Sequence, residues 1–169
     1  MFSKKDLQRL IVPLIIEQFL AITIGMADTV MISSAGEAAV SGVSLIDMFN
    51  NLIISVLAAL ATGGAVVTSQ FLGAGKKEDA CKSAKQLIVS SVCITIGISI
   101  LVMVFCNGII SLFFGKIEAD VFHNAVIYMM ISALSFPFLA LYNSCAALFR
   151  SMGNSKITLK VSVVENIIN

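Results

Sequence analysis

Two carboxylates stand in this chain where a simple membrane anchor would carry none. Glu17 and Asp28 lie within residues 10–33, a run otherwise dominated by Leu, Ile, Val and Phe. Insertion scales charge about 2.5 to 3.5 kcal/mol for an acid at the centre of a membrane helix, so the pair costs about 6. The twelve Leu, Ile, Val and Phe residues of the run return about 0.5 kcal/mol each, again about 6 in total. On that balance the helix inserts only marginally alone, and both acids should face protein or water. Asp28 lies about 27 Å along the helix from Leu10, near the far face, and Glu17 about 10 Å in. Eleven positions apart, they point within about 20° of each other, so one stripe of the helix is polar. Such a stripe can serve as a proton or cation site lining a cavity, or as a substrate contact. The plainer alternative is a hydrogen-bonded structural acid, which for Glu17 means pairing with a neighbouring helix.

Other residues fit the same two readings. Pro13 lacks a backbone donor and crowds the preceding turn, so beside Glu17 it either hinges the first helix or marks its first turn; Pro137 presents the same choice. Asp47, Asn50 and Asn51 cluster near one end of the second apolar run, where Asn50 either lines a cavity or caps an interface. Gly63 and Gly64 suit close helix packing. Asn166 and Asn169 are cavity candidates near the end of the sequence, with a wet chain end as the alternative.

Several other chemistries are excluded. Cys81, Cys93, Cys106 and Cys145 never approach CxxC spacing and His123 is the sole histidine, which argues against a zinc or iron–sulfur site. Three of those cysteines sit in apolar runs, where the thiol is a small hydrophobe. The GAGKK stretch lacks the spacing of a phosphate loop and no strand precedes it, so nucleotide binding is rejected. No constellation suggests an enzyme.

The elements that must position these residues are membrane helices. Hydrophobic residues make up 58% of the chain and charged residues 12%, half the charge of an ordinary soluble domain, so lipid is the expected solvent. Apolar runs of roughly 20 residues, the length that crosses about 30 Å of hydrocarbon, occur at 10–33, 45–71, 87–114 and 125–149. A further run, 157–169, is too short to cross and reads as an incomplete fifth span. The fold class is therefore all-α, a polytopic transmembrane helical bundle. Runs such as LIVSSVCITIGISILVMVF do not alternate as barrel strands would. The basic start resembles a signal peptide, but the apolar run behind it is too long, so the first helix is expected to be retained. Each connecting segment carries a glycine able to end a helix.

Ten of the 11 basic residues fall before span one, between spans two and three, or around the start of span five, and only Lys116 lies on the other side. Basic residues accumulate in the cytoplasm, which predicts a multi-pass cell-membrane protein with a cytoplasmic N-terminus. A net charge of +1 with no basic block gives no footprint for nucleic acid.

Four pieces, in order, resemble the multidrug and toxic compound extrusion (MATE) family. Pro13 and Asp28 fit its first-helix proline and acid, and residues 36–44 are similar to its outer loop. SQFLGAGKKEDA at 69–80 resembles its second-to-third-helix loop, and FRSMGNSK at 149–156 the loop before helix five. The resemblance implies two six-helix lobes in the parent protein, of which residues 1–169 supply most of the first. It also implies exchange of H⁺ or Na⁺ for organic, often cationic compounds, with no other cofactor. Cation coupling would fall to Asp28 and the bend to Pro13. Asn169 would match an asparagine one turn before a helix-five acid beyond this sequence. Asn154, where aspartate is frequent, and Thr158, where proline is common, depart from the pattern. Alternating access needs two halves, so these residues are expected to need the remaining helices of the same transporter as partners. Two alternatives stand beside this reading. A lipid-linked oligosaccharide flippase of the wider superfamily should carry more cationic residues inside its spans, and a non-transporting assembly factor gives no reason for Glu17 and Asp28.

Overall fold

In a medium without water every backbone polar group must be satisfied within its own segment, which a continuous helix achieves. The computed structural model describes residues 4–168, without the side chains of 4–7, 9, 10, 165 and 166. It consists of α1 (Lys4–Ser33), α2 (Glu37–Gly73), α3 (Lys77–Phe114), α4 (Ala119–Ser151) and α5 (Ser155–Ile168). The first four contain stretches long and apolar enough to cross a membrane.

The helices outrun the apolar stretches that announce them. At 38 residues α3 is about 57 Å long, nearly twice the hydrocarbon thickness. Hydropathy registers only the part in lipid, and residues 37–44 and 77–86, which read as loops by composition, are helical. Their charges help. Glu37 stands in the first turn of α2, Glu78 and Asp79 in that of α3, and Asp120 in that of α4, where the helix dipole favours an anion.

The turns that remain are short, and each contains one glycine with positive φ: Gly36, Gly75, Gly115 and Gly153. Two turns share one construction. After α2, Lys76 N–H donates to Phe71 C=O and Gly75 N–H to Leu72 C=O, both at 3.0 Å. After α4, Asn154 N–H donates to Phe149 C=O at 2.9 Å and Gly153 N–H to Arg150 C=O at 3.0 Å. This is the paired closure of a helix whose next residue is left-handed, a conformation open to glycine at little cost. Such tight turns make successive helices antiparallel. The N-terminal end of α1, the α2–α3 turn and the α4–α5 turn therefore share one end of the bundle, here termed the basic end.

Side-chain size decides which helices touch. The core lies among α2, α3 and α4, whereas α1 rests mainly against α5 and lightly against α2. On α3, Ser91, Thr95, Ser99, Val102, Cys106 and Ile110 are buried at helical spacing. Facing them on α4 are Ala125, Met129, Ala133, Phe136, Ala140 and Ser144. Small side chains let backbones approach where lipid supplies no hydrophobic drive for association. At Gly42 of α2 the neighbouring backbone comes close: a Cβ there would lie 3.0 Å from both Ala125 N and Val121 O of α4. Gly64 likewise faces Leu87 of α3, whereas Gly63 faces open space, so only one of the paired glycines serves packing. Among the cysteines, Cys106 is buried, Cys81 and Cys93 are exposed, and all four are free.

Candidate functional site

Polar residues stand in one stripe on α4 and in another on α1. On α4, Tyr128, Ser132, Tyr142, Asn143 and Arg150 project within an arc of about 100°, by the 100° rotation per residue of an α-helix. On α1 the matching stripe carries Glu17 and Asp28. These residues fall into two polar groups, one toward each end of the bundle.

The group away from the basic end comprises Asp28 from α1, Asp47 and Asn50 from α2, and Tyr128 and Ser132 from α4. Tyr128 Oη donates a hydrogen bond to Asp47 Oδ1 at 2.8 Å. The Tyr128 hydroxyl also interacts with Asn50 and lies within electrostatic reach of Asp28. Asn50 is buried; its Nδ2 donates to Ser132 Oγ at 3.1 Å, and its Oδ1 has no partner among the described residues. Asp28 is half-buried. The cluster thus offers two carboxylates and a vacant amide oxygen, all hard oxygen donors suited to a proton or an alkali or alkaline-earth cation. Sequence reading names Asp28 and Asn50 for this role and notes Asp47. It misses Tyr128 and Ser132, although their i, i+4 spacing on an otherwise apolar helix is available as a signal. Asn51, next to Asn50, is exposed and belongs to a different face.

The group at the basic end lines an open cavity of about 480 Å³ bordered by α1, α2, α4 and α5. Its polar lining comprises Glu17, Gln18, Tyr142, Asn143, Arg150 and Ser162. Glu17 Oε2 is shielded from solvent without a hydrogen-bond partner among the described residues. Arg150 donates from Nε to Ala146 C=O at 3.2 Å, which holds its stem along α4. Tyr142 Oη and Ser162 Oγ, 3.5 Å apart, tie α4 to α5. Composition places Arg150 in a connecting segment; the structure places it in the last turn of α4, facing a cavity that also holds Glu17.

Pro13 is buried within α1, which continues as one helix through it. Pro137 is likewise inside α4. Among the described residues, α3 has an internal break at Phe105, with φ −103° and ψ 15°. Asn166 belongs to α5, but its side chain lies outside the described residues, as does the whole of Asn169.

Comparison with known proteins bears on what such an arrangement serves. The family model MatE matches residues 13–169. The chain belongs to the MatE family. The MatE chain is 32% identical, over 93% of its length, to the uncharacterized transporter YisQ of Bacillus subtilis, and covers 34% of that protein. It is 25% identical over 98% of its length to the probable multidrug resistance protein NorM of Thermotoga maritima, covering 35% of it. Its fold superimposes on a MOP superfamily transporter from Pyrococcus furiosus with a TM-score of 0.87 at 21% identity, over 96% of this chain and 36% of that one. The MatE chain thus spans about a third of the length of the curated relatives it matches.

Proposed function

We propose that these residues form the cation-coupling part of a secondary transporter that exchanges H⁺ or Na⁺ for organic, often cationic compounds. The observation that carries this reading is the cluster of Asp28, Asp47, Asn50 and Tyr128, drawn together from three otherwise largely apolar helices. Ionisable groups inside membrane helices cost insertion energy and mark ion or substrate pathways. Release of a proton from an Asp28-centred site would leave a negative cluster ready for the next cation, and occupancy would shift the balance between two arrangements of α1 against α2 and α4. Pro13 supplies the point at which α1 can bend, since its turn lacks a backbone hydrogen bond. The protein sits in the cell membrane with its basic end in the cytoplasm, and a second group of helices completes the path. The relative named as a probable multidrug resistance protein supports an exported organic substrate.

The test is dye efflux from cells expressing the full-length protein, with Asp28 intact or replaced in Asp28→Asn. Loss of cation-driven efflux at unchanged protein level is expected; undiminished efflux overturns the assignment. One observation favours the flippase reading, the Arg150 guanidinium in the cavity at the basic end. Glu17 in the same cavity offsets it, leaving no net positive charge to receive a pyrophosphate.

A further inference from the structure

The core shared by α2, α3 and α4 is layered by helical turns, and one layer carries hydroxyls that no neighbouring side chain or backbone satisfies. Ala65 of α2, Leu87 of α3 and Leu148 of α4 pack together. Because α3 runs opposite to α2 and α4, one turn further from the basic end brings Ala61, Ser91 and Ser144 to a common level, each four residues from its counterpart. All three are buried, with Ser91 only 2% exposed and Ser144 not at all. Neither serine Oγ has a hydrogen-bond partner among the described residues, so the two are not bonded to each other. A serine inside a helix can satisfy itself on the carbonyl one turn back, and Ser90, adjacent but exposed, does so on Gln86 C=O at 2.6 Å. The next layer holds Leu57, Thr95 and Ala140, all buried. Thr95 donates its hydroxyl to Ser91 C=O, which turns Oγ1 back toward the serine layer with lone pairs open to a donor.

We propose that the layer of Ala61, Ser91 and Ser144 is a binding site for one internal water molecule. The water accepts from the Ser91 and Ser144 hydroxyls and donates one of its own protons to Thr95 Oγ1. Those three bonds match the number that a buried water makes, about three. The layer is also the one with room, since its side chains are an alanine and two serines, whereas Leu87 and Leu148 fill the layer on one side and Leu57 contributes to the other. The same leucines close the site toward both ends of the bundle. A charged ligand does not suit it: neutral hydroxyls offer no counter-charge, and Asp47, the nearest acid on α2, is fourteen residues from Ala61, about 21 Å along the helix. The water joins α3 to α4 where their side chains do not reach each other. The inference stands on packing alone and is independent of the transport reading.

Water-edited solid-state NMR tests it on the full-length protein in lipid bilayers, labelled with ¹³C in serine and alanine. Polarisation that starts on water protons is expected to reach the Ser91 and Ser144 Cβ signals well ahead of that of Ala133, which is equally buried and apolar. The serine signals are assigned by their loss in Ser91→Ala and Ser144→Ala. Build-up no faster than at Ala133 overturns the proposal. Ser144→Ala should also slow the transfer to Ser91, because a bridging water loses one of its holders; transfer to Ser91 that is unchanged in that variant overturns the bridge. Folding equilibria measured by steric trapping in bicelles give a second reading. Either alanine should lower the folded-to-unfolded ratio about threefold, the average for a hydrogen bond between membrane helices. The double variant should also lose about threefold, since the first change already releases the water. A loss of about ninefold marks two independent hydroxyls and overturns the proposal.

Discussion

Tyr128→Phe removes one oxygen atom and leaves the ring in place, so it isolates the bond between α4 and α2. The lost interaction is an O–H···O⁻ bond of 2.8 Å to Asp47 Oδ1. Hydrogen bonds to charged groups are worth about 1.5–3 kcal/mol in soluble proteins, whereas those between membrane helices average about 0.6 with a maximum near 1.7. The lower scale applies because the unfolded chain in a bilayer also finds partners. The ionised acceptor moves this pair to the top of that scale, so we expect a coupling of about 1.5 kcal/mol, roughly tenfold in the folding equilibrium. A double-mutant cycle of Tyr128→Phe and Asp47→Leu in bicelles, with unfolding followed by steric trapping, gives that coupling free of each residue's other contacts. A coupling under about 0.5 kcal/mol would refute the claim that this bond joins α2 to α4, since that is the level of an ordinary exposed pair.

Other outcomes follow from packing and topology. Gly42→Leu should destabilise the bundle by about 2 kcal/mol or more, because even a Cβ meets α4 backbone at 3.0 Å and overpacking costs about 1–3; Gly97→Ala, which faces open space, should be neutral or gain up to about 1, and thermal unfolding in detergent compares the two. Gly153→Val forces a branched side chain into φ +79° and should cost about 1–2 kcal/mol, whereas Gly153→Asn should be milder by the same assay. Cys81, exposed near the start of α3, should react with a membrane-impermeant maleimide in inverted vesicles and resist it in intact cells, while buried Cys106 resists in both. Labelling of Cys81 from outside intact cells would reverse the proposed orientation.

How far the candidate site can be read from sequence differs residue by residue. Asp28 and Glu17 declare themselves because an acid in an apolar run has an immediate energetic cost, visible without any partner. Asn50 is a weaker candidate of the same kind, and the structure sets it beside Ser132 while leaving Asn51, adjacent in sequence, on an exposed face. Tyr128 raises no such alarm, since a tyrosine in a membrane helix costs little. Its importance comes from Asp47, 81 positions earlier. Arg150 escapes notice for a related reason: at the edge of an apolar run it looks like a loop residue, and only the continuation of α4 to Ser151 turns it toward Glu17.

The helical class, the membrane setting, the turn glycines and the family resemblance all follow from local properties of the chain. Hydropathy decides where a segment can lie, and the absence of a side chain decides where a left-handed residue can end a helix. Which residues share a group is not local. It depends on α2 and α4 approaching through Gly42 and Ala125 while α1 is held off against α5, a choice made by the fit of small side chains on helices far apart in sequence. That packing joins Asp47 to Tyr128 and brings Glu17 and Arg150 to one cavity, so the carriers of the chemistry were legible one by one and their grouping was set by the tertiary structure.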